Sequence, residues 1–394
     1  MKGAILIFGA GELQISIIKI ANELDYQTVV IDPDKNAIGQ KYADFFFQVD
    51  GDDYQKTLKI AKKFEIKGIV TAATDHPILM MCKIAEELQL PFPSLVSCDT
   101  LLDKGKFKFF LKANNIAHAK GDIYSSDDKI KTEILNFPVI VKPVKNSGSR
   151  GVLKCESIDK LQSAVAECLK FCKDGTFIIE EYINGDEISV EAYVMNSKVE
   201  IVQITDKLVT SPPYNVELGH YQPSKYMNFK SEIQNMIQII VDKLNINNCI
   251  LHPELKIDKN SKFTIIEIGP RLGGDYITSM LVPLSTGINI EKIQIQIATN
   301  NAVNLFYNKR NSLISFLTFN NGGTVKKIIS KKILEENFIE IVDFQTNLFV
   351  GQSINIITNS LNRYGHFILQ GNNRQKLEAK STEIMNFLEN YLLK

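Results

Sequence analysis

The stretch Leu251–Asp275, LHPELKIDKNSKFTIIEIGPRLGGD, predicts a β-hairpin followed by a glycine-rich loop. Its two runs, HPELKI and KFTIIEI, are rich in β-forming residues. Residues 258–261 (DKNS), which lie between the runs, have the composition of a turn. We therefore expect the site of this protein to be built on two antiparallel strands and on the loop that follows them.

Two glutamates, Glu254 and Glu267, lie one on each predicted strand. If the turn centres just after Lys259, Glu267 is opposite His252, and Glu254 is a diagonal neighbour on the same face, about 7–8 Å away. A register shift of one residue would put the two glutamates on opposite faces. On the expected register, the two carboxylates can share a pair of divalent ions.

The loop Gly269–Asp275 (GPRLGGD) places Arg271 just after the second strand. Its glycines allow the backbone to approach a ligand closely. One interpretation of the hairpin and loop is a magnesium–phosphate centre with an arginine clamp. The other is an ordinary hairpin with a charged outer face.

Composition limits the classes of function. The chain has 394 residues, 44% hydrophobic and 23% charged, with formal net charge +0 and a pI of about 7.0. These values predict a globular protein of several domains and argue against general affinity for nucleic acid or an anionic membrane. No run of about 18 apolar residues is present, so no membrane span is expected. Six scattered cysteines and the absence of a secretory cleavage pattern favour free thiols in a reducing cytoplasm.

The N-terminus predicts a doubly wound α/β domain that ends near residues 91–93. An apolar run at residues 4–8 precedes Gly9-Ala10-Gly11, and Asp32 follows the next predicted strand, an arrangement similar to a dinucleotide fingerprint. Gln14 stands where that fingerprint has its third glycine. NAD binding by an oxidoreductase therefore remains an alternative that rests on this segment alone.

Two lysines mark a second unit. Lys104 opens a predicted helix, where it is either a ligand contact or a solvated charge. Lys142 lies in the apolar strand PVIVKP, where an unpaired ammonium would be costly, so we expect an anion beside it. The loop at residues 146–151 (NSGSRG) offers backbone N–H groups and hydroxyls suited to phosphates. It is not a Walker A loop, because no GK[ST] follows.

Further acidic and basic residues follow. The segment Glu180–Ile183 (EEYI) and the later Glu187 can contact an adenine edge and a ribose, or can form a hairpin with solvated carboxylates. Glu217 and His220 are placed in an irregular, proline-rich loop at residues 211–224. From about residue 312 the sequence predicts several strands and a last helix at 373–393. This pattern indicates a small α+β closing domain.

In combination these motifs resemble the ATP-grasp superfamily, in particular its carboxylate–amine ligase branch. That branch includes L-amino-acid (dipeptide) ligases and has purine-pathway and biotin-carboxylase relatives. The matching pieces, in order, are the GxG turn, DK at 103–104, PVIVKP with SGSRG, EEYI with its later acid, TDK at 205–207, ELGH, and E…EIxPRxGG. The resemblance implies an α/β plus α+β ATP-grasp fold. Its expected domains are a doubly wound pre-ATP-grasp domain (1–95), an ATP-grasp domain (96–305, with a lid at about 115–185) and a closing domain (306–394).

The resemblance also implies ATP and Mg²⁺, with Mn²⁺ as an alternative ion, and a role for each matching residue. The expected metal ligands are Glu254 and Glu267. The expected catalytic residues are Arg271, His220 and Lys207. The nucleotide contacts are Lys104, Lys142, Ser147, Gly148, Ser149, Gly151, Glu180, Glu181, Tyr182, Ile183 and Glu187. Glu181 and Ile183 are expected to offer backbone groups to adenine. The expected substrate contacts are Glu217, His220, Arg271, Gly273 and Gly274.

One position departs from the family pattern. The family has Asn two residues after the second metal-binding glutamate, and this chain has Gly269. Either water replaces the missing oxygen, or one Mg²⁺ is held more loosely, or the site is impaired. We expect replacement by water, because both glutamates and Arg271 are present. The implied activity joins a carboxylate to an amine through an acyl phosphate. The alternatives are a catalytically impaired nucleotide-binding sensor or subunit, and a purine-pathway carboxylase or transferase. The expected partners are small molecules, and the closing domain can carry a homodimer contact, as in relatives.

Overall fold

The computed structural model describes residues 2–146, 148–210, 216–319, 322–355, 357 and 363–393. Its N-terminal unit is a parallel sheet with the strand order β3-β2-β1-β4. The elements of this unit are β1 (Ala4–Phe8), α1 (Ile15–Glu23), β2 (Gln27–Asp32), β3 (Phe45–Gln48), α2 (Tyr54–Lys63), β4 (Ile66–Thr71), α3 (Ile78–Leu88) and α4 (Leu95–Leu102). The doubly wound prediction is confirmed. Strand β3 was not predicted, and its run FFFQ is only partly buried at this edge of the sheet.

A second, antiparallel sheet forms the lid, with the strand order β5-β8-β6-β7. Its elements are α5 (Lys104–Ala113), which leads into it, and β5 (Gly121–Ser125), β6 (Val139–Pro143), β7 (Leu153–Cys155), α6 (Ile158–Leu169) and β8 (Thr176–Glu181). Apolar side chains of α6 and of strands β6 and β8 form a small core of their own. The lid therefore has a hydrophobic core that is separate from the core beneath the central sheet.

The central sheet has eight strands in the order β13-β12-β9-β10-β11-β14-β18-β16, each pair antiparallel. The strands and helices of this part of the chain are β9 (Gly185–Met195), β10 (Lys198–Val209), β11 (Glu217–Gln222), α7 (Lys230–Leu244), β12 (Cys249–Asp258), β13 (Phe263–Gly269), α8 (Val282–Thr286), α9 (Ile290–Ala298), β14 (Asn311–Phe316), β15 (Gly323–Thr324), α10 (Lys331–Asn337), β16 (Ile341–Thr346), β17 (Ser353–Ile354), β18 (Gly365–Gly371) and α11 (Arg374–Leu393). Strands β15 and β17 pair with each other in a separate two-stranded sheet. The C-terminal strands thus continue the sheet that carries the hairpin.

The segment at residues 217–222 corrects one prediction. We expected an irregular loop around Glu217 and His220, and the structure has strand β11 there. This strand pairs with β10 on one side and β14 on the other, and Tyr221 is fully buried. The flanking prolines had masked a pairing that only the distant strand β14 completes. Residues 211–215 of the predicted loop lie outside the described residues.

The two faces of the central sheet are buried against different partners. One face packs on α7 through Ile233, Ile237 and Val241. The other face packs on α9 and, beyond it, on the N-terminal unit. No helix in the described part of the chain combines the length and apolar character that crossing a bilayer requires. The domain boundaries and the homodimer contact stay predictions.

Candidate active site

Glu254 and Glu267 lie directly opposite each other on β12 and β13. This register differs from the predicted one, in which Glu267 faced His252. The structure pairs His252 with Gly269 instead. The predicted common face is nevertheless correct, and the two carboxylates are closer neighbours than expected.

A β-bulge is the reason for this register. Near the turn Leu255 pairs with Ile265, and continuing that register would place Ile266 opposite Glu254. The pairing shifts by one residue between Glu254 and Leu255, so that Glu267 takes that place. A bulge of this kind reorients a side chain next to a site. Without this shift Glu267 would face Pro253, on the opposite face of the hairpin from Glu254.

The first cavity, which we name the lid cavity, lies between the lid sheet and the hairpin. Its empty volume is about 880 Å³, counted with its open mouth. The charged residues of its wall that matter below are Lys104, Lys142, Glu180, Glu187, Glu254 and Glu267. Its lid wall includes Ile140, Tyr182, Ile183 and Val152, which give it an apolar side. A cavity with one apolar wall and convergent charges suits a molecule with a flat ring and an anionic tail.

Lys142 has the anionic neighbour that its buried position required. Its Nζ lies 2.5 Å from Glu180 Oε1, and Lys108 Nζ lies 2.7 Å from Glu180 Oε2. Burial raises the pKa of Glu180, but the two lysines outweigh burial and lower it. The side chain of Glu180 is therefore an ionised anchor for two lysines rather than an open contact for a ligand.

Lys104 reaches the hairpin from the start of α5. Its Nζ lies 2.9 Å from Glu267 Oε2 and donates to the Asn146 carbonyl at 2.8 Å. Burial lowers the pKa of Lys104, but Glu267, Asp75 and Glu254 raise it above its usual value. This lysine is thus a fixed cation between the phosphate-type loop and the second glutamate.

Lys207 lies among three carboxylates. Its Nζ is 2.7 Å from Glu187, 3.0 Å from Glu254 and 3.5 Å from Glu217. Burial lowers the pKa of Lys207, but the three acids raise it well above its usual value. Burial raises the pKa of Glu254, but Lys207 and His252 hold it well below its usual range. Lys207, Glu187 and Glu254 are therefore charged at neutral pH.

The second cavity, which we name the loop cavity, lies beside the glycine-rich loop. Its empty volume is about 1200 Å³, counted with its mouth, and most of the side chains in its wall are polar or charged. It is bounded by Asp75, Lys207, His220, Arg271 and Asp275. Glu254, Glu267 and the loop residues 148–150 line both cavities. The two cavities therefore adjoin at the paired glutamates.

Arg271 is held by the N-terminal unit. Its Nε and Nη2 donate to the two carboxylate oxygens of Asp75, at 2.7 and 3.2 Å. A Cβ at Gly269 would lie 3.2 Å from the guanidinium carbon of Arg271. The guanidinium thus occupies the space next to the position where the family has Asn.

Two histidines lie in the wall of the loop cavity, each next to a carboxylate. His220 Nε2 lies 3.2 Å from Asp275, which also accepts two bonds from Arg363, at 2.8 and 2.6 Å. His252 Nδ1 lies 2.7 Å from buried Glu191, and its Nε2 lies 3.5 Å from Glu254. Burial lowers the pKa of His252, but Glu191 and Glu254 raise it to about 9. His252 is therefore a cation behind the paired glutamates.

Some of the residues predicted for the nucleotide loop and the adenine hinge line a cavity, and others do not. Gly148 and Ser149 line both cavities in left-handed conformations, with φ of 66° and 55°. Gly151 lines neither cavity, and a Cβ there would meet Phe171 at 2.9 Å. Ser147 lies outside the described residues. The N–H of Glu181 already donates to the Lys120 carbonyl at 2.7 Å, so this group does not support the expected adenine contact.

The remaining predicted residues lie in the walls of the two cavities or directly behind them. Tyr182, Ile183 and Glu187 line the lid cavity, and Glu217 and Gly274 line the loop cavity. Gly273 lies behind the wall, because a Cβ there would come within 2.7 Å of His252 Nδ1.

A family model described as an ATP-grasp domain matches residues 135–279, which include the lid, the hairpin and both cavities. Residues 135–279 therefore form an ATP-grasp domain.

Relatives of this ATP-grasp protein include ligases. A D-alanine–D-alanine ligase of Flavobacterium psychrophilum is 31% identical over 135 residues, which cover 34% of this chain and 38% of that protein. An alanine–anticapsin ligase of Bacillus amyloliquefaciens is 23% identical over 245 residues, 56% of this chain and 51% of that protein. In three of the D-alanine–D-alanine ligases the matched part covers 38%, 36% and 60% of their length.

The whole fold has a solved counterpart. The crystal structure of an L-amino acid ligase from Bacillus licheniformis matches with a TM-score of 0.80 at 19% identity. The match covers 99% of this chain and 98% of that one. The ATP-grasp fold with its N-terminal parallel sheet is thereby confirmed across the chain.

The paired glutamates fit the divalent cation that ATP-grasp membership implies. Carboxylate oxygens are the ligands that Mg²⁺ prefers, and Glu254 and Glu267 are directly opposed. Each is already next to a cation, Lys207 or Lys104. Among the described residues, no group of three or more His, Cys, Asp or Glu side chains forms a complete metal site. Further ligands would therefore have to come from a bound nucleotide and water.

Sequence reasoning missed several residues of this ATP-grasp site. Asp75, Lys108, His252 and Lys256 all contact residues that we had predicted. Lys256 Nζ, for example, lies 3.0 Å from Glu187. Two of the missed residues had a signal: Lys108 is one helical turn after Lys104, and Lys256 is two residues after Glu254 on the same strand face. Asp75 had no such signal in the sequence, because its partner Arg271 is 196 positions away.

Proposed function

We propose that this protein is an ATP-dependent carboxylate–amine ligase. A substrate carboxylate oxygen attacks the γ-phosphorus of ATP, which releases ADP and gives an acyl phosphate. An amine then attacks the acyl carbon, which forms an amide and releases phosphate. The step needs no covalent protein nucleophile, because the protein contributes positioning and charge neutralisation.

The observation that carries this proposal is the common wall of the two cavities. A cavity for a ring and an anionic tail and a polar cavity with an arginine adjoin at Glu254 and Glu267. A phosphoryl group passing from nucleotide to carboxylate must cross such a boundary. The ligase relatives support the same reaction class.

Each charged residue has a role in the proposal. Lys104 and Lys142 hold the phosphates of ATP, and Glu187 holds the ribose. Arg271 orients the carboxylate and stabilises the negative charge of the acyl phosphate. Glu254 and Glu267 would hold Mg²⁺, which neutralises phosphate charge when bound. Lys207, Glu217 and His220 shape the substrate side.

The test is ADP release by purified protein with ATP, Mg²⁺ and a panel of amino acids, sugar acids, purine intermediates and amines. We expect ADP formation that depends on both a carboxylate and an amine. Glu267→Gln should remove most turnover while the melting temperature stays close to that of the wild type. Glu200→Gln, an exposed glutamate on the same sheet, is the matched control and should retain turnover. Full activity of Glu267→Gln would contradict the assignment.

A second candidate is a nucleotide-binding subunit with impaired catalysis. Gly269 favours it, because the family's oxygen ligand is missing and Arg271 fills the adjoining space. Calorimetry separates the two candidates. ATP binding in the presence of Mg²⁺ without ADP formation on the whole panel would favour the impaired subunit, whereas turnover excludes it.

A further inference from the structure

We propose that Lys108 is a positioning residue, which neutralises Glu180 so that the ammonium group of Lys142 remains available to attract the phosphates of the nucleotide. This inference rests on the proposed function, since it concerns the same lid cavity. It assigns a role to a lysine that does not itself have to touch the ligand.

The contacts are specific. Glu180 uses one carboxylate oxygen for Lys142, at 2.5 Å, and the other for Lys108, at 2.7 Å. Lys108 Nζ also donates to the Ala119 carbonyl at 2.5 Å. All three charged side chains are at least nine-tenths buried. Lys142 and Glu180 line the lid cavity, while Lys108 lies behind them in a smaller one.

The charges of the cluster give the reason for this role. Glu180 and Lys142 alone would form a neutral pair, in which the carboxylate offsets much of the attraction between the ammonium and an incoming phosphate. With Lys108 the cluster has a net charge of +1. Charge interactions are strong in a buried, poorly solvated site, so this difference acts directly on a polyanionic ligand. The low pKa of Glu180 means that the carboxylate stays ionised and needs this compensation.

The position of Lys108 on α5 supports a dedicated role. It follows Lys104 by one helical turn, so both lysines project from the same face. Lys104 pairs with the hairpin and Lys108 with the lid strand β8. Lys106, between them, pairs instead with Asp99 at the surface, where its side chain is 53% exposed. Lys106 is therefore a matched control, because it lies on the other side of the same helix.

The experiment measures binding of ATP, ADP and adenosine to the wild type, Lys108→Met, Lys108→Arg and Lys106→Met. We expect Lys108→Met to weaken ATP and ADP binding by at least about tenfold and to leave adenosine binding within about twofold. Lys108→Arg should restore ATP binding, and Lys106→Met should behave as the wild type. An equal loss for all three ligands would mean that Lys108 only holds the lid in shape, and would overturn the inference.

Two variants of Glu180 keep the test decisive if Lys108→Met does not fold. Glu180→Gln leaves two lysines without the carboxylate, so ATP should bind at least as tightly as to the wild type. The pair Lys108→Met with Glu180→Gln returns the cluster to +1 and should recover the affinity lost in Lys108→Met. Weaker ATP binding by Glu180→Gln with unchanged adenosine binding would overturn the inference. Because only binding is measured, absence of turnover in the wild type would count against the ligase proposal and not against this one.

Discussion

Asp75 and Arg271 form a bidentate ion pair, with distances of 2.7 and 3.2 Å, although they are 196 positions apart in the chain. Asp75 lies in the loop after β4, and Ala72 in that loop forms a parallel bridge with Leu272. Burial raises the pKa of Asp75, but Arg271 and Lys104 lower it below its usual value. The N-terminal unit thus supplies an anion that is bound where the proposed acyl phosphate would lie.

Asp75→Asn should increase the affinity of the loop cavity for anions. Without the carboxylate, Arg271 loses the anion that it contacts directly, and we expect inorganic phosphate to bind about tenfold more tightly, the equivalent of about 1.4 kcal/mol. Unfolding free energy should fall by about 1–3 kcal/mol, because a buried guanidinium loses a charged partner. Calorimetric titration with phosphate and urea denaturation measure the two effects. Adding Arg271→Gln should abolish the gain, and weaker phosphate binding by Asp75→Asn would show that Asp75 helps rather than competes.

Lys207→Met should make stability depend on a divalent cation. The substitution leaves Glu187, Glu217 and Glu254 without the lysine that they share, and we expect a loss of about 3–5 kcal/mol. Mg²⁺ should raise the melting temperature of this variant more than that of the wild type, because the ion can take the place of the lysine. The measurement is thermal unfolding with MgCl₂ against NaCl at equal ionic strength.

Lys256→Met is the control for that experiment, because Glu187 keeps its contact with Lys207 when Lys256 is removed. Its melting temperature should respond to Mg²⁺ as the wild type does. If Mg²⁺ raised the melting temperature of Lys207→Met by no more than that of the wild type, the result would argue against a cation site at these glutamates.

His252 should give the protein a stability that is lost in alkali. Its pKa is raised from 6.5 to about 9 by Glu191 and Glu254, against the effect of burial. A raised pKa stabilises the fold fully below about pH 6.5, and this contribution disappears as the pH rises through about 9. The amount is on the order of 3 kcal/mol.

Urea denaturation between pH 6 and 10 tests this expectation. The wild type should lose more unfolding free energy over the range than His252→Gln, whose profile should be flatter. His76→Gln replaces an exposed histidine of the loop cavity and should follow the wild type. Parallel profiles for the wild type and His252→Gln would contradict the raised pKa.

Local patterns were sufficient to predict much of the fold. The hairpin, the N-terminal α/β unit and helix α11 each have a clear periodicity or turn, and the structure has them where expected. Strand β11 was missed because flanking prolines hide it and its partner β14 is far away in sequence. The hairpin register was missed for two reasons. The turn centres on Asn260 rather than just before it, because Ile257 pairs with Phe263. A bulge then adds a second shift, which is not visible in a run such as FTIIEIG.

In the site, too, the residues of local motifs were predicted, whereas contacts between distant segments were not. Residues within motifs, such as Lys104, Lys142 and Glu254, were predicted, and the structure brings them together at one wall. Contacts between chain segments could not be predicted, because they depend on how the N-terminal unit, the lid and the central sheet pack. Asp75 on Arg271 and Lys108 on Glu180 are the two examples with the largest effect on the charges of the site.

The most direct test of the ligase account follows an oxygen atom. With a turnover-competent carboxylate labelled with ¹⁸O in both oxygens, an acyl phosphate leaves one carboxylate oxygen on the phosphate that is released. Mass spectrometry of that phosphate should show one ¹⁸O for each phosphate formed together with amide. ADP formation accompanied only by unlabelled phosphate would contradict the account, since phosphoryl transfer would then go to water.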